Sequence, residues 1–574
     1  MDAALFDRRF FEQRRSRIGS GAVGGKAQGL LMAAEILDRE RAEMDVPGIA
    51  VEIPALTVVA AGAFDAFVDR NGLRELIRAE DLADERIVHA VRRADLPAEI
   101  VGDLRALAHE VRAPLAVRSS SALEDALGQP FAGVYGTKMV PGNQPDADSR
   151  FRSLVDAIKF VYASTFFHGA RAYMRAIDRR LEEERMAVLV QEVVGRRHGD
   201  RFYPEISGVA RSYNFYPTGG AEPGEGVVSL ALGLGKTIVD GGLCWSFSPA
   251  HPRTGPPFAS VQDMLEKTQA EFWAVNIGPP PAYDPMAETE YLVKAGLAEA
   301  EADGTLRHLA STYDPRSDRL TPGTARPGPR VLDFAPLLVL EELPLVAQLR
   351  KLMAGAEDAL GAPVEIEFAL SPSVGGAPAR LGFLQVRPLV VGREAVKVTL
   401  EDLVSERAIV ASTAALGNGT AEGIRDVVFV DPDSFEARLT PAIAAELERI
   451  NRGLLGEGRP YLLIGFGRWG SSDPWLGIPV RWDQIAGAKA IVEATLPQMS
   501  PDPSQGSHFF HNLSSFEIRY FTVRHGEGRG IDWDWLRRQP AVTRTDHVRH
   551  VRPPAPLSLK VDGRTRRGVV LRPA

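Results

Sequence analysis

The chain has little of what staples, anchors or charges a protein in one direction. It holds one cysteine, Cys244, in 574 residues. A lone thiol excludes an internal disulfide framework and a cysteine-rich zinc site. No apolar run approaches the ~18 residues of a membrane-spanning helix. The opening stretch, residues 1–9, lacks the hydrophobic core of a signal peptide. Positive charge is not in excess either: 67 Lys and Arg stand against 75 Asp and Glu, a formal net charge of −8. Dedicated nucleic-acid binders carry a basic footprint, so that class is set aside. A short basic cluster such as Arg564-Thr565-Arg566-Arg567 reads as a solvated face. The expectation is a cytoplasmic enzyme with no membrane or nucleic-acid partner.

What is present fits a globular protein of several domains. Apolar residues make up 45% and charged residues 25%, ordinary values for a folded soluble chain. The length predicts roughly three or four domains. Residues 26–40 read as a helix with Leu30, Leu31, Ala34 and Leu37 on one face. Residues 49–60 are extended around Pro54, and 61–78 return to helical spacing. Leu115-Ala116-Val117 is a short buried strand leading into a polar loop. Residues 150–185 are mostly helical, 187–194 and 226–232 are strands, and 303–330, dense in proline and glycine towards its end, is a loop or connector. A helix over 346–360 precedes two alternating strands, 364–370 and 382–386, paired as a hairpin. The character then changes, placing a domain boundary near residue 395. Beyond it, 440–453 is helical and 461–465 is a strand ending in a glycine turn.

Several short motifs carry chemistry. In Gly19-Ser20-Gly21-Ala22-Val23-Gly24-Gly25-Lys26, glycines let backbone N–H groups approach phosphate oxygens and a helix N-terminus adds a favourable dipole. Lys26 adds a point charge. Ala27 stands where a Walker A loop needs Ser or Thr, and alone the segment reads as a helix cap beside a turn. Arg118 follows a strand and precedes Ser119, Ser120 and Ser121. A guanidinium suits phosphate through paired, charge-assisted hydrogen bonds. Glu124 and Asp125 read either as part of that pattern or as a solvated acidic loop. Glu365 and Glu367 lie two apart on one strand and face one side, near Gln385 on the next. Two hard oxygen ligands near a triphosphate suit Mg²⁺; spacing alone favours a charged solvent face.

Taken in order, these segments, with Phe131-Ala132-Gly133, Gly233-Leu234-Gly235 and Leu384-Gln385-Val386-Arg387-Pro388, resemble the ATP-binding half of pyruvate phosphate dikinase and phosphoenolpyruvate synthase. The resemblance covers about two-thirds of the chain, residues 1–395. It implies an ATP-grasp-type α/β region followed by a smaller α/β domain over 396–574. It also implies ATP and Mg²⁺ as cofactors and a dikinase-type phosphotransferase activity. Gly24, Gly25, Lys26, Arg118 and Ser119 then hold phosphates, Phe131-Ala132-Gly133 covers them, and Gln191, Glu192 and Val194 line the adenine pocket. Glu367 and Gln385, with Glu365 beside them, become the Mg²⁺-ATP residues, and Arg387 matches the arginine after that glutamine. Where the family continues Gly-Leu-Gly with Glu, this chain has Lys236.

The family's relay passes ATP's terminal pyrophosphoryl group to a histidine in a Thr-x-x-Gly-Gly-x-x-x-His setting, and none of the eleven histidines has it. The pyruvate-binding domain is likewise expected to be absent. The acceptor is then a separate histidine-bearing subunit, a small molecule, or a group in residues 396–574. His508 is the candidate carrier there, against a structural reading beside Phe509 and Phe510, and the run Arg468–Trp475 suits binding of an acceptor through stacking and hydrogen bonds, against a tight turn with packed tryptophans. The competing reading is a non-catalytic ATP-binding regulator, favoured by Lys236 and the missing carrier histidine.

Overall fold

The computed structural model describes residues 15–573 apart from 40–43, 76–81, 122–123, 125–133, 177–179, 216, 218–219, 257, 259, 285, 373–375, 390–395, 472, 498, 500–512, 514–517, 527–529 and 564. The fold is mixed α/β. The chain divides into two compact units, the first drawn mainly from residues up to Pro388 and the second mainly from Leu389 onward. Among the described residues no helix is long and apolar enough to cross a membrane.

Two sheets carry the chemistry of the first unit. One has five strands in the order Arg15–Ile18, Leu56–Val59, Met186–Glu192, Leu115–Ser121, Thr137–Val140. The other has six, in the order Trp245–Phe247, Val227–Ala231, Ile206–Arg211, Val364–Ser371, Ala379–Pro388, Ile49–Glu52. The Val364–Ser371 and Ala379–Pro388 strands form the expected antiparallel hairpin, with Glu365 opposite Arg387 and Glu367 opposite Gln385. The helix Gly25–Arg39 buries Lys26, Ala27, Leu30, Ala33, Ala34 and Ile36. It presses on the hairpin at Gly29, where a Cβ would sit 2.8 Å from the Val386 carbonyl oxygen. Only glycine permits that approach, so helix and hairpin are locked at one spacing.

Three sequence expectations are corrected. The serines after Arg118 are not a polar loop: the strand runs on to Ser121, and all three serines are buried. Residues 303–330 are not a bare connector. They contain a turn of 3₁₀ helix and most of a three-stranded sheet, Arg319–Pro322, Ser311–Asp314 and Arg330–Val331. The helix opening at Ala61 stops at Arg70, where Asn71 caps it and Gly72 takes a positive φ of 62°.

Among the described residues the second unit has a seven-stranded sheet, a four-stranded sheet and a two-stranded one, Arg468–Trp469 with Gly477–Ile478. Four strands in the middle of a seven-stranded sheet, Asp426–Val430, Tyr461–Phe466, Ala488–Ala494 and Arg519–Val523, run parallel in sequence order. A four-stranded antiparallel sheet shares their core, bringing Leu559, Val561 and Val570 to Val427, Leu462, Val492 and Phe521. The helix Thr440–Gly456 makes the crossover between the first two parallel strands, as parallel pairing requires.

Candidate functional site

Arg118 projects from the five-stranded sheet to the hairpin of the six-stranded one. Its guanidinium donates to Gln385 Oε1 at 2.7 Å, Glu367 Oε2 at 3.2 Å and the Leu384 carbonyl at 3.3 Å. Residues 118, 367 and 385, far apart in sequence, therefore meet. Glu367 and Arg118 keep some exposure, with side chains 13% and 14% accessible. The second carboxylate oxygen of Glu367, Oε1, is buried and has no hydrogen-bond partner among the described residues. A desolvated carboxylate oxygen without a donor is costly, which marks this as a place for a cation or donor.

Glu365 is a different case. Its oxygens accept from Arg387 Nε at 2.8 Å and from Arg211 Nε at 2.6 Å, and all three residues are buried. Burial pushes the Glu365 carboxyl up, but Arg387 and Arg211 outweigh it and hold it below its ordinary value. Glu365, expected beside the metal ligands, has both its oxygens engaged by arginines. Arg387, matched to the family's arginine after that glutamine, is 1% exposed and braces the hairpin through Glu365.

Lys26 lies in the first turn of the Gly25–Arg39 helix. Its ammonium donates to Glu124 Oε1 at 2.5 Å and Ser119 Oγ at 3.2 Å. Gly24 and Gly25 are required here by packing. A Cβ on Gly24 would sit 1.7 Å from the Ser120 carbonyl oxygen, and one on Gly25 1.6 Å from that of Glu124. Both glycines let the loop press against the Leu115–Ser121 strand and its following turn. Ser120 Oγ fastens the contact by accepting from the Ala27 N–H and donating to the Val23 carbonyl.

Gln191 and Glu192 belong to a central strand whose backbone is paired on both sides. The Glu192 and Val193 N–H groups donate to the Ala55 and Pro114 carbonyls. Val194 lies just past the strand, its side chain packed where a Cβ on Gly382 would be. Lys236 opens a short helix, Lys236–Val239. Phe131-Ala132-Gly133 and His508 lie outside the described residues. In the second unit, Trp469 of the Arg468–Trp475 run is buried and donates from Nε1 to the Val492 carbonyl, while Trp475 is 69% exposed. Among the described residues no three His, Cys, Asp or Glu side chains gather as a metal cage.

The family model described as the pyruvate phosphate dikinase, AMP/ATP-binding domain matches residues 20–408. The chain belongs to this family. The match spans the Lys26 loop, Arg118 and the Glu367–Gln385 hairpin, so the convergence of these residues lies within an AMP/ATP-binding domain. The chain is also similar to the uncharacterized phosphotransferase YvkC of Bacillus subtilis (strain 168), at 23% identity over 339 residues. That alignment covers 59% of this chain and 31% of the relative, so the chain matches under a third of that protein's length. Sequence reasoning within the family pattern left one residue of the site without a role. Glu124 is 1% exposed, and its signal was its place three residues after the buried serine run.

Proposed function

We propose that the chain is a dikinase-type phosphotransferase that binds ATP with Mg²⁺ in an ATP-grasp-type first unit. It cleaves ATP between the α- and β-phosphates, releasing AMP and passing the terminal pyrophosphoryl group to a histidine or other acceptor on another domain or subunit; hydrolysis then frees one phosphate as Pi and leaves a phosphoryl group on the acceptor. The meeting of Arg118 with Glu367 and Gln385, beside a helix start bearing Lys26, carries this reading. Lys26 and Arg118 are the phosphate cations. Gly24, Gly25 and Ser119 build the seat of Lys26, and Gln191, Glu192 and Val194 border the base. Glu367 and Gln385 would hold Mg²⁺, which supplies charge neutralisation on the transferring phosphate. The partnerless Glu367 Oε1 fits that use, and one carboxylate plus one amide suits a metal that completes its shell with phosphate and water. Arg118 now supplies the positive charge at those oxygens; on nucleotide binding it turns to the phosphates. The relative's description as a phosphotransferase supports the reaction class.

The test is incubation with Mg²⁺ and ATP, followed by nucleotide analysis and intact-protein mass. AMP with an acid-labile protein phosphate is the expected result for an acceptor within the chain, and His508→Ala then asks whether that residue is it. AMP formed only with an added histidine-bearing acceptor protein places the acceptor on a partner. Glu367→Gln and Arg118→Ala should each lower turnover by about 10²-fold or more. Lys236, in place of the family's glutamate, keeps a regulatory reading in view. Tight ATP binding with no turnover, alone or with acceptors, overturns the transferase proposal in its favour.

A further inference from the structure

Lys26 is in an unfavourable place for a cation. It is 6% exposed, and it sits at a helix N-terminus, whose dipole repels positive charge. Its ammonium is met by Glu124, which receives a donor at each oxygen. Oε1 accepts from Lys26 and from Ser119 Oγ at 2.8 Å, and Oε2 accepts from the Ser121 N–H at 2.9 Å. The Glu124 N–H in turn donates to Ser121 Oγ at 3.2 Å. The carboxylate is thus fixed by the strand end, and the lysine stem is fixed by the close approach of Gly24 and Gly25 to the same turn.

We propose that Glu124 is the positioning residue for Lys26, holding its ammonium charged and aimed so that one N–H is left for a phosphate oxygen. An ammonium has three donors, and Glu124 and Ser119 take two. This rests on the reading of Lys26 as a phosphate cation. Behind Glu124 lie Tyr135 and Glu184. Burial, with Glu184 and Glu124 adding to it, pushes the Tyr135 hydroxyl far up. Burial pushes the Glu184 carboxyl up to about 7. Glu184 is therefore ionised throughout the range above about pH 7, and the carboxylate that pairs with the Lys26 ammonium is Glu124.

The experiment is equilibrium binding of ATP to the full chain from about pH 8 to about pH 10, above the titration of Glu184 and of the ATP phosphates. Wild-type affinity should stay level. Glu124→Gln removes the counter-ion, so its affinity should fall about tenfold across that range as the buried ammonium gives up its proton. Lys26→Arg in the Glu124→Gln background should remove the alkaline fall, because a guanidinium keeps its charge. A purely structural role for Glu124 predicts the same loss at every pH, with no effect of the arginine on the slope; that result overturns the proposal. If Glu124→Gln does not fold, Ser119→Ala keeps the carboxylate but removes the bridging hydroxyl. It should show the same alkaline limb at about threefold, and a level profile there also overturns the proposal. Failure of the wild type to bind ATP at any pH would instead refute the reading of the site.

Discussion

The buried Glu184 illustrates how residues of one type diverge by surroundings. Glu365 is held low between two arginines, whereas Glu184, against Tyr135, is pushed up to about 7 from 4.5. A carboxyl raised on folding binds extra protons in the folded state, so stability falls as pH rises from about 4.5 through 7. The neutral amide of Glu184→Gln has no such dependence. The variant should match wild type near pH 4.5 and exceed it above pH 8 by about 3 kcal/mol, read from denaturant melts at the two pH values. An equal difference at both would mean that Glu184 does not titrate on folding. Little of this was legible in the sequence. The order of motifs identified Lys26, Arg118, Glu367 and Gln385, because each follows a recognisable strand or loop. Glu124 and Glu365 differ from solvent-facing acids only in partners brought from elsewhere. Arg211, which fixes Glu365, is 154 residues away.

At the level of elements, the sequence announced those with strong periodicity. The helices Gly25–Arg39, Leu345–Leu360 and Thr440–Gly456 and the hairpin of residues 364–388 follow the apolar spacing that predicted them. The polar end of the Leu115–Ser121 strand was missed because its serines are buried by bonding to a helix start 93 residues away, not by apolar character. The strands of residues 311–331 were missed because they are two to four residues long, too short to show alternation. The junction of loop and strand gives a sharp contrast between glycines. Gly24→Ala combines a φ of 79° with overlap against the Ser120 carbonyl, and should cost about 3 kcal/mol or more. Gly102, inside the helix Ala98–Glu110, has open space around it, and Gly102→Ala should stabilise by about 0.5–1 kcal/mol. Thermal melts of the pair check both signs.

At the level of the molecule, each unit has its own apolar core. Asp426 ties together the start of the second unit's parallel strands. Burial raises its carboxyl, but His550, Arg552 and Arg459 outweigh that and lower it. The His550 and Arg552 contacts are each 2.8 Å long. Calorimetry should resolve two transitions. ATP at about a hundredfold excess over Kd should stabilise one by about 3 kcal/mol, and Asp426→Asn should lower the other by about 3–5 kcal/mol. A single transition moved by both would refute separate unfolding. The family of the first unit was legible because its motifs extend along nearly the whole of it. The second unit offered periodicity but no motif. Its buried charges sit on strands of ordinary pattern, so its architecture became visible only in the structure.

The bridge made by Arg118 has one more consequence, under the proposed function. The Glu367–Gln385 pair is a chelator already loaded with a tethered competitor. A competitor on a short tether acts at an effective concentration in the millimolar range or above. A naked divalent ion would have to evict it with nothing to offer in return. A metal arriving on a triphosphate brings the anion to which the arginine can move, so admission is an exchange of counter-ions. The site would therefore ignore the free ion and admit the ion and nucleotide together, a selectivity set by one side chain with two possible partners.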